Sequence, residues 1–346
     1  MSAPPRLLER QQLRKALTGY PVLTLPAEVT SEIFMQFLPP YPQRPSLVGP
    51  LSPSFLLRIC RQWRDVALAT PALWSTVALD MESLHARQLS LLNSWLQRSG
   101  HCPLSIALVC PFNTQHTPYI TALAEAILTH SSRFREMDLR IPLEDLARFT
   151  APMPLLRSLT VGPTQYLTAK SRIPGQLPWS PFLHAPMLKD VVLSLFFNPF
   201  CITLPWSHVT SLTATLFCNE AAEILRHTTI LEICNIDIYN SVNGNLPQVT
   251  AITPIPVRSL RLLLKDTDHR QDTATMQQFF SMLAFPALEA LAVSECFLGA
   301  DPIAAILSLC QQGYPQRIAI HHACTARSVF ESAFPGAELS VASLES

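Results

Sequence analysis

The chain has 346 residues, a formal net charge of zero, 48% hydrophobic residues and 14% charged ones. This excludes a disordered polyelectrolyte and supplies a sizeable core for one large domain or two. With no charge excess, neither nucleic acid nor an acidic membrane surface is expected as a partner. Glycine is scarce at 9 and proline abundant at 31, which argues against phosphate-cradling loops and for many short, punctuated elements. The nine cysteines are scattered, without a C-x-x-C pair or an N-x-[ST] sequon. That pattern fits reduced thiols in the cytoplasm and/or nucleus. No apolar h-region follows the charged residues Arg6 to Lys15, so no signal peptide is expected. The apolar run 191–204 is broken by Asn198 and Pro199 and is too short to span a bilayer.

Residues 6–17 read as a short charged helix ended by Gly19, giving an N-terminal helical segment over 1–20. Residues 25–74 follow. Pro26 suits a helix start, where its missing N–H costs nothing, and Glu28 in the first turn favours the dipole. Val29, Ile33 and Phe37 recur at helical spacing. A proline-rich insertion, 39–53, separates this helix from a second one. There Phe55, Ile59 and Trp63 form a stripe, with Leu56, Cys60 and Val66 beside it and Arg58, Arg61, Gln62, Arg64 and Asp65 opposite. Thr70-Pro71-Ala72-Leu73-Trp74 closes the stretch. About fifty residues bury little surface alone, so some of these apolar side chains face either the rest of the chain or another protein.

The order L-P-x-E-[IV], I-F, L-P, [VI]-C-R-x-W-R, T-P-x-L-W resembles an F-box. It is most similar to that of the large fungal set of F-box proteins whose C-terminal part resembles leucine-rich repeats. The match covers residues 25–77, and the insertion 39–53 stands where many F-boxes have a short turn. Loop insertions are thermodynamically cheap.

Beyond Trp74, strands are expected at 76–79 and 104–108, and helices at 83–99 and 119–131. A unit then recurs: apolar, two others, apolar, one other, apolar. Its copies are Phe134/Met137/Leu139, Leu156/Leu159/Val161, Leu188/Val191/Leu193, Val209/Leu212/Ala214, Leu231/Cys234/Ile236, Val257/Leu260/Leu262 and Leu288/Leu291/Val293. A weaker copy is Ile318/Ile320, and Ile106/Leu108 precedes the series. The mean spacing of about 26 residues lies in the leucine-rich-repeat window of roughly 20–29, with a scatter of about 21 to 32. Leu288 to Leu298 alone fills the whole template L-x-x-L-x-L-x-x-[NC]-x-L. Helices are expected from Asn219 as cap over 220–226, from Thr275 over 276–284, and from Asp301-Pro302 towards Gly313. Ile318, Ile320, Phe330 and Phe334 read as a C-terminal cap. The predicted fold class is α/β: a small N-terminal three-helix F-box over 21–80, then a degenerate leucine-rich-repeat-like α/β solenoid over 81–346. An ordinary α/β domain with parallel strands is the alternative.

Motifs for nucleophilic, phosphate or zinc-protease chemistry are absent. His321-His322-Ala323-Cys324 is the one tight His/Cys cluster, and adjacent histidines on a strand point apart, so no metal is expected there. Trp179, Trp206 and Tyr166 beside prolines are candidates for a pocket, with loop anchoring as the plainer reading. Neither enzyme activity nor a cofactor is expected.

The resemblance implies a substrate-recognition subunit of an SCF-type cullin–RING E3 ubiquitin ligase. In that family the F-box holds a Skp-type adaptor, and through it cullin, while the repeats hold a target protein. The positions implied for adaptor binding are Leu25, Pro26, Val29, Ile33 and Leu38, then Ile59, Cys60 and Trp63, then Leu73 and Trp74. A non-catalytic interaction scaffold without a link to ubiquitin transfer is the other reading.

Overall fold

A computed structural model describes residues 24–40, 42–80, 87–164, 180–193, 198–199, 202–239, 252, 255–265, 273–311 and 313–343. The expected helix at 6–17, and Tyr166 and Trp179, lie outside them. The chain divides into two compact units, Met1–Val109 and Cys110–Ser346. The division falls beyond the expected boundary at 80, so the first strands and the helix between them cluster with the N-terminal segments.

In the first unit, helix α1 spans Ala27–Phe37. Pro26 is its N-cap, one position ahead of the helical start expected for it, and Thr30 Oγ1 donates to Pro26 O at 3.0 Å. Leu38 turns extended before Pro39 and ends the helix. The single helix expected from 54 onward is instead broken in two. Pro53–Arg58 is a 3-10 turn capped by Ser52, and α2 spans Arg61–Leu68. The break is Cys60, extended at φ −154°, whose Sγ accepts from Trp63 N at 3.4 Å as the cap of α2. A second 3-10 turn, Pro71–Trp74, leads into β1 (Thr76–Asp80). Helix α3 (Arg87–Arg98) follows, and then β2 (Leu104–Val109), which pairs with β1 in parallel.

The insertion takes a defined path along β1. Ala78 N donates to Pro45 O at 2.8 Å, Ser46 forms a parallel bridge with Ala78, and Arg44 Nε donates to Ser105 Oγ at 2.8 Å. Pro45 and Leu47 are buried. An insertion with no helical period thus occupies hydrogen-bonding groups that an edge strand would otherwise present.

In the second unit nine strands pair in parallel and in chain order: β3 (Phe134–Ile141), β4 (Ser158–Pro163), β5 (Asp190–Leu193), β6 (Ser211–Leu216), β7 (Ile233–Ile238), β8 (Ser259–Leu264), β9 (Ala290–Ser294), β10 (Arg317–Ala323) and β11 (Glu338–Ser343). The recurring template sets the register. Its middle apolar position forms one rung line through Met137, Leu159, Val191, Leu212, Cys234 and Leu260 to Leu291 and Ile318. All of these side chains are buried. The alternate positions are more open, so one face of the sheet is covered and the other is not. Burial pushes the Cys234 thiol up to about 12, as expected for a cysteine serving as a small hydrophobe in this ladder.

The helices of this unit are α4 (Pro118–Leu128), α5 (Leu143–Leu146), α6 (Cys218–His227), α7 (Thr273–Ser281), α8 (Pro302–Cys310) and α9 (Arg327–Ala333). Helix α4 buries Ile120, Leu123, Ala124 and Ile127, and α8 is capped by Asp301, whose Oδ1 accepts from Ala304 N at 3.0 Å. The expected cap at Asn219 is not formed. Helix α6 starts earlier, Glu220 Oε2 accepts from Phe217 N at 3.1 Å, and the buried Asn219 Oδ1 has no partner among the described residues. The expected C-terminal cap is a further copy of the unit: Ile318, Ile320, Phe330 and Phe334 are buried under β10, α9 and β11.

Candidate functional site

The positions implied for adaptor binding sort into three groups. Leu73 and Trp74 are fully buried. Trp74 Nε1 donates to Ala67 O at 2.9 Å, its ring meets Trp95 edge-on at 5.0 Å, and the Arg98 guanidinium lies 4.7 Å above it. These two residues, for which the resemblance implies an adaptor contact, are packed into the interior of the unit, the 3-10 turn they occupy directing them inward. Leu25, Leu38, Cys60 and Trp63 are half-buried. Trp63 meets Phe34 edge-on at 5.0 Å and so joins α1 to α2, while its buried Nε1 has no partner among the described residues.

The third group faces outward. Pro26 is exposed, as are Val29 (44%), Ile33 (45%) and Ile59 (47%). Phe55, at 43%, joins them. Val29 and Ile33 stand one turn apart on α1, whose buried side is Thr30 and Phe34. The stripe that helical spacing marks as apolar is therefore the solvent face of α1, and its core contact is Phe34 instead. The same holds for the 3-10 turn, where Leu56 is buried and Phe55 is not. Val48, Leu51 and Leu68 are exposed as well. Seven large apolar side chains between residues 29 and 68 thus lie open to solvent, a denser exposure than the singly scattered kind.

The other candidate groups are accounted for inside the second unit. His322 Nδ1 lies 3.2 Å from Ser294 Oγ, which also accepts from Leu264 N at 3.0 Å. The Glu295 carboxylate accepts from the backbone N of Cys324 and from the N and Oγ1 of Thr325. His321 titrates below the usual histidine range because of burial, with His322 and Arg261 adding to the effect. The cluster ties together the ends of β8, β9 and β10, and no group of three potential metal ligands occurs among the described residues.

Trp206 is buried and lines a cavity of about 280 Å³ with Pro199, Leu204, Ile224 and Glu223. Glu223 already meets Arg226 and His227, each at 3.2 Å. The buried carboxylate of Asp145 is likewise matched, by His116 Nδ1 at 2.9 Å and Thr121 Oγ1 at 2.9 Å. Trp206 was a pocket candidate in the sequence, whereas the Asp145 cluster went unread because His116 and Thr121 lie 29 and 24 residues from it without a motif. No described helix is long and apolar enough to cross a membrane. Compared with models of protein families and with curated proteins, the chain matches none.

Proposed function

We propose that this chain is the substrate-recognition subunit of an SCF-type cullin–RING ubiquitin ligase. Residues 21–80 act as an F-box that binds a Skp-type adaptor, and residues 81–346 form a leucine-rich-repeat-like solenoid that holds a target protein. The observation that carries the reading is the exposure of Val29, Ile33, Phe55 and Ile59 on a segment whose Phe34, Leu56, Leu73 and Trp74 are buried. Val29, Ile33 and Ile59 are positions where the F-box resemblance implies an adaptor contact, and Phe55 is the neighbour of Ile59 in the stripe. The register-matched parallel strands, repeated at leucine-rich-repeat spacing, support the second half. The protein then contributes no bond chemistry. It raises the local concentration of a target beside the ubiquitin-charged enzyme.

The test is co-purification of recombinant Skp-type adaptor with the full chain and with Ile33→Asp/Ile59→Asp. Loss of a central anchor costs at least about 2 kcal/mol, roughly thirtyfold in affinity. Capture of adaptor and cullin should vanish while circular dichroism and the melting midpoint stay put, because both side chains are exposed. Wild-type capture by the double variant would remove the adaptor from the reading.

A further inference from the structure

The repeat template places one residue directly after the first apolar position of each copy. In chain order these are Arg135, Arg157 and Lys189, then Thr210, Glu232 and Arg258. They share one register. Arg157 N donates to Arg135 O at 2.8 Å, Lys189 N to Arg157 O at 2.9 Å and Thr210 N to Lys189 O at 2.9 Å. The later part of the row is charge-balanced, with Arg258 paired to Glu289 at 3.4 Å. The first three positions are all cationic and all exposed.

Elsewhere in the described part of the second unit, every arginine and lysine except Arg317 meets a carboxylate or a histidine. Arg135, Arg157 and Lys189 meet neither. Glu136 and Asp190 stand one position further on, yet no carboxylate comes within 4.0 Å of the three cations among the described residues. Three positive charges on adjacent strands without an ion-pair partner among the described residues, in a chain of zero net charge, form a localised field that favours an anionic partner. Neighbouring strands are about 4.8 Å apart, so the row spans about 10 Å, the length of three residues of extended chain. Leu155 and Met187, two positions before Arg157 and Lys189, are exposed apolar side chains. They offer contacts for apolar residues that flank the acids.

From this we infer that the row Arg135–Arg157–Lys189 docks an acidic, extended polypeptide segment whose Asp and Glu side chains cross strands β3 to β5. The guanidinium forks suit carboxylates bidentately and the lysine adds a point charge. A membrane surface is the weaker fit, because polybasic lipid-binding clusters carry about 4–8 cations. The inference deepens the proposed function by giving the target a chemistry. It rests on that reading only in assigning this partner the target's place.

The experiment is fluorescence anisotropy on the full purified chain, without adaptor, using a labelled peptide with a Glu-Glu-Leu-Glu-Glu core between Gly-Ser flanks. Wild type should bind, and binding should weaken as salt is raised. Arg135→Gln/Arg157→Gln/Lys189→Gln should lose about tenfold in affinity, and Arg317→Gln should lose nothing. The inference is overturned by equal binding of the triple variant, by equal loss in Arg317→Gln, by no wild-type binding, or by binding to phosphatidylserine-containing vesicles instead of the peptide. Adaptor capture by the triple variant is read separately, so that failure of one assay leaves the other interpretable.

Discussion

Residues 24–79 and residues 134–341 treat their apolar side chains in opposite ways. In the second stretch the template positions run through the strands as buried rung lines, and exposed large apolar residues are scattered among the copies. In the first, Phe34, Leu56, Leu73 and Trp74 make a small interior while Val29, Ile33, Phe55 and Ile59 stay open. Apolar periodicity therefore means core where each strand pairs in register with a neighbour of the same apolar spacing. Where helices are few and short it also marks side chains left open to solvent.

The widest test of this contrast is Trp74→Ala. A fully buried tryptophan with its N–H bonded costs about 3–5 kcal/mol when truncated. Hydrogen exchange should then quicken across α1, α2 and β1 while the amides of β3 to β10 keep their protection. Simultaneous loss in the ladder would end the separation of the two interiors.

A smaller effect is expected inside the second unit. Burial pushes Glu220 up to about 7, against which its hydrogen bond from Phe217 N acts weakly. The folded chain therefore keeps a proton that the unfolded chain releases from pH 4.5 upward. Stability favoured at low pH is lost as pH rises through that window and is fully lost above about 7, a change on the order of 3 kcal/mol. Glu220→Gln keeps an acceptor for Phe217 N. It should melt several degrees higher at pH 8, at about 2–4 °C per kcal/mol for a unit of this size, and flatten the dependence between pH 5 and 8. A variant that melts lower than wild type at pH 8 would show that the charge is well solvated. The smallest effect belongs to the open helix face. Val29→Ser with Phe55→Ser should change the unfolding free energy from urea titration by no more than about 0.5 kcal/mol, and a loss above about 2 kcal/mol would place those side chains in a core.

The ladder was legible because Met137, Leu159 and their counterparts recur with the same internal spacing, and parallel pairing in chain order then leaves one register. Helix boundaries in the first unit were less so. Nothing local distinguishes the buried Phe34 from the open Ile33, since the choice depends on Trp63, which lies beyond an insertion. The break at Cys60 was masked by apolar residues that continue a helical spacing across it. Strand β11 went unread because its short alternation, Leu339 and Val341 about Ser340, follows a copy that already looked terminal. The cationic row was visible letter by letter. It gains meaning only when the register sets Arg135, Arg157 and Lys189 side by side.

Chain-order pairing also bears on how the second unit comes to exist. Leu212 finds Cys234 and Cys234 finds Leu260, so each strand needs only the next copy to complete its hydrogen bonds. Parallel sheets ordinarily fold slowly because distant segments must meet before any contact rewards them. Here the loop to be closed is one repeat long at every step, whatever the total length. A nascent chain can therefore add copies one at a time as they leave the ribosome, and an insertion or deletion of a whole copy would lengthen or shorten the assembly without rewiring it.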